Sequence, residues 1–182
     1  ILTATVQSLL DAVPTGESPH PVGYVVPHAG CPYSGPTASY AFKRLAGKTY
    51  DRVIIIGPSH FDPFEGITTW IGTGLETPLG IVETALEDRD RLVDQFGVQA
   101  SELGFGQEHA IEVELPFLQL TLTPGWKLVP LIMGRQSERT VEIAARILRT
   151  YQNGNHLILI SSDLSHFHPY DRANQIDGEL LR

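Results

Sequence analysis

Asn155-His-Leu-Ile-Leu-Ile160 runs without a break into Ser161-Ser-Asp163. Four successive apolar side chains leave neither face of an extended segment polar, which is the pattern of a strand covered on both sides. Val22-Gly-Tyr-Val-Val26 and Arg52-Val-Ile-Ile-Ile56 have the same form. Each of the three ends in a turn rich in Gly, Pro or Ser that carries a histidine or an aspartate: Pro27-His28-Ala-Gly30, Gly57-Pro-Ser-His60, and Asp163 with His166. Amphipathic segments fall between and around these strands. Helical spacing is read over 1–13 (stopped by Pro14), from Ser34 as a cap to about Gly47, over 84–96, over 108–120 with a bend at Pro116, over 137–151 and from Asp171 onward. Residues 15–21 read as a Gly/Pro/Ser loop. Residues 66–72 read as a strand with one buried face, and 127–132 as a strand that Pro130 restricts to an edge or irregular position. Buried strands alternating with helices predict a three-layer α/β/α sandwich around a mixed, largely parallel sheet, formed by one domain over 1–182.

Composition narrows the function. The hydrophobic fraction of 42% and charged fraction of 19% over 182 residues are those of a folded globular chain. The formal charge of −8 repels phosphate backbones, and no Lys/Arg stripe reverses it locally, so nucleic acid is not an expected partner. No apolar run reaches the roughly 20 residues that span a bilayer. A single cysteine, Cys31, forms no internal disulfide, and a reducing, cytoplasmic setting is expected. Phosphate-cradling loops and dinucleotide fingerprints are absent, and Ser59 lacks the context of a nucleophile elbow.

The chemistry-bearing residues gather where strands end. In an open α/β sheet the carboxyl ends of parallel strands form the ligand crevice, and neighbouring strands lie only about 5 Å apart. If the three strands are neighbours and point the same way, His28, His60, Asp163 and His166 share that crevice. Two imidazoles and a carboxylate suit Zn, Fe or Cu, and a further histidine can serve as acid or base. Taken singly, a histidine after a strand is an ordinary loop residue, and Ser161-Ser-Asp163 reads equally as a turn cap. His109 and Glu112, three apart, read on spacing alone as an exposed helical pair. Cys31 reads as a small core or loop residue whose nearness to His28 leaves a soft ligand open.

Five motifs in order resemble the Memo family: Pro27-His-Ala-Gly-Cys-Pro-Tyr-Ser-Gly35, Gly57-Pro-Ser-His60, Thr77-Pro-Leu-Gly80, Glu108-His-Ala-Ile-Glu-Val-Glu-Leu-Pro116 and Ser161-Ser-Asp-Leu-Ser-His166. That family is similar in fold to class III extradiol dioxygenases. The resemblance implies that His28 and His60 are metal ligands for iron or copper. It implies that His166 is an acid/base beside Asp163, and that His109 and Glu112 lie at the pocket together with Cys31, which stands where the family has tyrosine. It further implies redox or oxygen chemistry on a small molecule, and for microbial members a radical-SAM protein partner. A non-catalytic module holding a peptide or small molecule in the same crevice is the alternative, with zinc-dependent hydrolysis third. The family continues past position 182 to a cysteine that supplies a third ligand, so the chain is expected to lack the family's opening and closing segments.

Overall fold

The computed structural model describes residues 1–14 and 20–181, so residues 15–19 of the expected 15–21 loop lie outside it. Strands β1 (Gly23–Val26), β2 (Arg52–Pro58), β3 (Ile67–Thr69), β6 (Gln99–Ala100), β7 (Lys127–Met133) and β8 (His156–Ser161) form one sheet in the order β1-β8-β2-β7-β3-β6. β1, β8, β2 and β7 are mutually parallel, while β3 and β6, parallel to each other, run the opposite way, joined to them by the antiparallel β3–β7 pair. A hairpin of β4 (Gly74–Thr77) and β5 (Gly80–Glu83) stands apart, and its turn is the Thr77–Gly80 motif.

Both faces of the sheet are covered at β2 and β8, as their continuous apolar runs require. The run at 22–26, expected to be buried in the same way, instead forms the edge strand β1 and leaves Val22 and Val25 exposed, because β8 is its one neighbour. In β2, Val53 and Ile55 belong to a core that includes Val6 and Leu10 of α1 (Leu2–Asp11), Phe42 of α2 (Cys31–Lys43) and Leu115 and Leu118 of α4 (Leu115–Thr121). Ile54 and Ile56 point the other way, to Leu92 of α3 (Leu86–Phe96) and Ala144 and Ile147 of α5 (Glu138–Arg149). The period-2 alternation thus divides one strand between two cores, which is the three-layer α/β arrangement expected. Phe42 and Phe117 stack with ring centroids 4.8 Å apart and join α2 to α4.

Several local expectations are corrected. Helix α2 begins at Cys31 with Gly30 as its cap, and Ser34 lies inside it, donating to Ala29 O at 2.6 Å. The segment 108–120 is helical only from a 3-10 turn at Glu112–Glu114 onward. The strand read over 66–72 is three residues long, Ile67–Thr69, with both faces buried. Pro130 sits in β7, an interior strand between β2 and β3. It fits there because backbone groups two residues apart point to the same side. Leu128 O already accepts from Ala85 N on the β3 side, and β3 pairs only as far as Leu131. Pro130 therefore faces a gap where no ladder hydrogen bond is needed. The last helix, α6, spans Tyr170–Leu180.

One ionic cluster ties α3 to the sheet and α5. Asp88 accepts from Arg52 Nε at 2.6 Å, Arg91 Nη2 at 3.0 Å and the Tyr151 hydroxyl at 2.8 Å. Burial pushes the Asp88 carboxyl up, but the hydrogen bonds from Arg52, Tyr151 and Arg91 outweigh it and hold it below its ordinary value of 3.8. Asp88→Ala should cost about 2–3 kcal/mol at neutral pH. A depressed pKa stabilises fully above the unfolded value and stops contributing as pH falls through the folded one. Urea melts of the two proteins should therefore differ most near neutrality and converge below pH about 4.

Candidate metal centre

β1, β8 and β2 are adjacent and parallel, so their carboxyl ends share one rim of the sheet. The turns after them carry His28, Asp163 and His60. The rings of His28 and His60, 32 residues apart in sequence, lie with centroids 5.2 Å apart. His109 completes a triangle, 5.2 Å from His60 and 6.0 Å from His28. The exposed His109/Glu112 pair expected from spacing does not form. Residues 108–111 are not helical, so the i, i+3 rule has no purchase there. Glu112 is exposed and lines a separate groove with Leu75, Glu76 and Leu115. Cys31 is partly buried against the core at the start of α2 and does not line the histidine cavity.

Each imidazole is oriented from behind. Ser161 Oγ lies 2.5 Å from Ala110 O and 2.6 Å from His28 Nδ1. A carbonyl only accepts, so the single hydroxyl hydrogen belongs to Ala110 O, and Ser161 must accept from His28. His28 therefore carries its proton on Nδ1 and presents the Nε2 lone pair. That Nε2 is buried and has no hydrogen-bond partner. Burial lowers the His28 pKa below 6.5 and the neighbouring His60 and His109 lower it further, against the opposing pull of Asp163 and Glu108, which favours the neutral form.

His60 is held by Glu108, whose side chain is 3% exposed. Glu108 Oε2 accepts from His60 N at 2.6 Å, while Oε1 accepts from His60 Nδ1 at 2.9 Å, His109 N at 2.8 Å and Ala110 N at 2.9 Å. Burial alone would raise this carboxyl, but the bonds from His60, Ala110 and His109 together lower it, so it is a carboxylate. Its partner turns the free Nε2 of His60 outward. Asp163 does not cap its own turn. Its Oδ1 accepts from His28 N at 2.6 Å and Ala29 N at 3.2 Å, and its Oδ2 lies 3.8 Å from His28 Nε2 and 3.6 Å from His166 Nε2. His166 donates Nδ1–H to Leu164 O at 2.9 Å on a turn where Leu164 and Phe167 adopt positive φ of 60° and 57°. Non-glycine residues in that region are held there by their surroundings, a feature common at functional sites.

His28, His60, Asp163 and His166 line one cavity of about 530 Å³, together with Ile56, Met133, Gln136 and Ile160. Its donor set suits a borderline metal: imidazoles with Nε2 open, one of them buried and without a hydrogen-bond partner. Among the described residues, ligand atoms of His60, Glu108 and His109 already fall within 4.8 Å of one another, a group that does not include His28. With four hydrogens on its two oxygens, Glu108 is better placed to orient His60 than to ligate.

A family model described as Memo-like protein matches residues 2–182. The chain belongs to the Memo family. It is 37% identical over 168 residues to a MEMO1 family protein of Methanococcoides burtonii, covering 88% of this chain and 60% of the relative. Identity is 34% over 175 residues to one of Aeropyrum pernix, covering 92% and 61%. It is 32% over 161 residues to one of Nitrosopumilus maritimus, covering 87% and 58%. The chain thus spans about 60% of the length of the curated relatives it matches. Two residues of this Memo site escaped sequence reasoning. Glu108 is 48 positions from the histidine it holds and Glu114 is 1% exposed beside Ser161; both stand in the 108–116 motif, whose reading singled out only His109 and Glu112. Among the described residues no helix is long and apolar enough to cross a membrane.

Proposed function

We propose that this Memo chain binds a redox-capable metal, iron or copper, at its histidine cluster, with His28 and His60 as ligands through Nε2. The observation that carries this reading is the buried Nε2 of His28, which has no hydrogen-bond partner and lies beside the His60 ring. A buried acceptor left unpaired costs about 1–3 kcal/mol, which coordination would recover. Zinc fits the same donors. When bound, the ion would polarise a substrate oxygen. The cavity volume suits a small molecule or a peptide side chain. His166, with Asp163 beside its Nε2, holds or moves a proton at the cavity wall. A second ligand set, His60 with Glu108 and His109, is favoured by their existing proximity.

The test is metal content by plasma mass spectrometry after anaerobic loading with ferrous, cupric or zinc ions. His60→Ala should reduce bound metal to background under either ligand set. His28→Ala should do so and His109→Ala should not, if His28 is the ligand; the reverse result selects the second set. Stoichiometric metal in His60→Ala sinks both. Oxygen uptake that disappears with His166→Ala would favour an oxygenase over a binding module.

A further inference from the structure

Beneath the cluster, Glu114 is sealed from solvent, and neither carboxyl oxygen has a formed hydrogen bond. Among the described residues, Ser161 is the polar side chain beside its carboxyl and Asp163 the charge that acts on it, by repulsion. Among the described residues no cation compensates it. An ionised carboxylate placed there would carry the full cost of an unpaired buried charge.

The Ser161 hydroxyl decides what Glu114 must be. Its one hydrogen goes to Ala110 O, and one of its two lone pairs receives His28 Nδ1–H. One lone pair remains. A carboxylate cannot use it, since both groups would be acceptors. A carboxylic acid can, by bringing its own proton. All three bonding positions of Ser161 are then filled, and the hydroxyl cannot rotate away from Ala110.

We propose that Glu114 is a positioning residue, a neutral carboxylic acid whose hydroxyl donates to Ser161 and so locks the His28 ring with Nδ1 protonated and Nε2 open to the cluster. Burial drives the Glu114 pKa well above 4.5 and the repulsion of Asp163 adds to this, in keeping with that state. The chain Glu114–Ser161–His28 joins three segments remote in sequence. It gives a reason for an acid at a site where leucine would pack without an unpaired polar group.

The experiment uses metal-free protein, so its failure is distinct from failure of metal binding. Infrared difference spectra between wild type and Glu114→Gln at neutral pH should show a protonated-carboxyl C=O stretch present only in wild type. That band should move to higher frequency in Ser161→Ala, which removes its acceptor. Ring-labelled histidine should give nitrogen shifts of a pure Nδ1–H tautomer for His28 in wild type. Glu114→Gln, whose amide still donates, should keep it, and Glu114→Leu should give a mixture. A purely structural role would not discriminate Gln from Leu in this way. Absence of the protonated-carboxyl band overturns the proposal, as does a band unmoved by Ser161→Ala or an unmixed His28 tautomer in folded Glu114→Leu. If Glu114→Leu does not fold, the two infrared results decide.

Discussion

Glu108→Ala should destabilise the protein by about 2–4 kcal/mol and weaken metal binding by about 10–100-fold. The stability loss follows from the four N–H donors that converge on this carboxylate, those of Ala110 and His109 N and both of His60. Alanine leaves them without an acceptor in a place where its own side chain admits little water, since Glu108 is 3% exposed there. The binding loss has a separate cause. Without Glu108, nothing fixes the His60 proton on Nδ1, and the ring turns freely. Glu108→Gln separates the two: it keeps one acceptor oxygen but sets an NH₂ against an N–H, so its stability should fall between alanine and wild type. Denaturant melts and zinc titration read the two effects. A Glu108→Ala protein with wild-type affinity would show that His60 needs no partner. Because the Glu108 pKa is depressed, its contribution is whole at neutral pH and fades as pH drops through the folded value.

Gly134→Ala should cost about 3 kcal/mol or more, although it adds one methyl group to a half-buried bend. An added Cβ would lie 2.1 Å from the backbone oxygen of Phe64 and 2.8 Å from its carbonyl carbon, which are not flexible side-chain ends. That approach is where the loop carrying His60 returns to β7. Gly134 N donates to Gly66 O, Arg135 N to Phe64 O and Ser59 N to Met133 O, at 3.0, 2.7 and 2.7 Å. Relief of the clash must move residues 59–66, so the His60 ring should shift relative to His28 and metal affinity should fall with stability. Gly106→Ala is the control. Its added Cβ meets nothing within 4 Å, so the change should stay within about 0.5 kcal/mol. Equal thermal midpoints for the two variants would refute the argument from close approach.

Residues that face water or core on a regular period were legible, and residues defined by a partner across the fold were not. The runs at 53–56 and 157–160 announced strands buried on both sides, and the turns after them and after the run at 22–26 announced His60, Asp163 and His28. Spacing alone read His109 and Glu112 as an exposed pair because a helical rule was applied to residues that are not helical; the family motif, not the spacing, pointed His109 to the pocket. Pro130 was misread because the length of β3, not the sequence around the proline, decides whether its missing N–H matters. The β4–β5 hairpin went unseen because its strands bury little and show weak alternation.

The amino-acid sequence by itself settled the layer architecture and which histidines end strands, because burial on two faces and the polarity of turns are properties of contiguous residues. Only the tertiary structure decided that β1, β8 and β2 are neighbours, that Glu108 holds His60, and that Ser161 fixes the tautomer of His28. Those are pairings across dozens of positions. They exist only once strand order brings remote hydrogen-bonding groups within about 3 Å, a distance that no local spacing encodes.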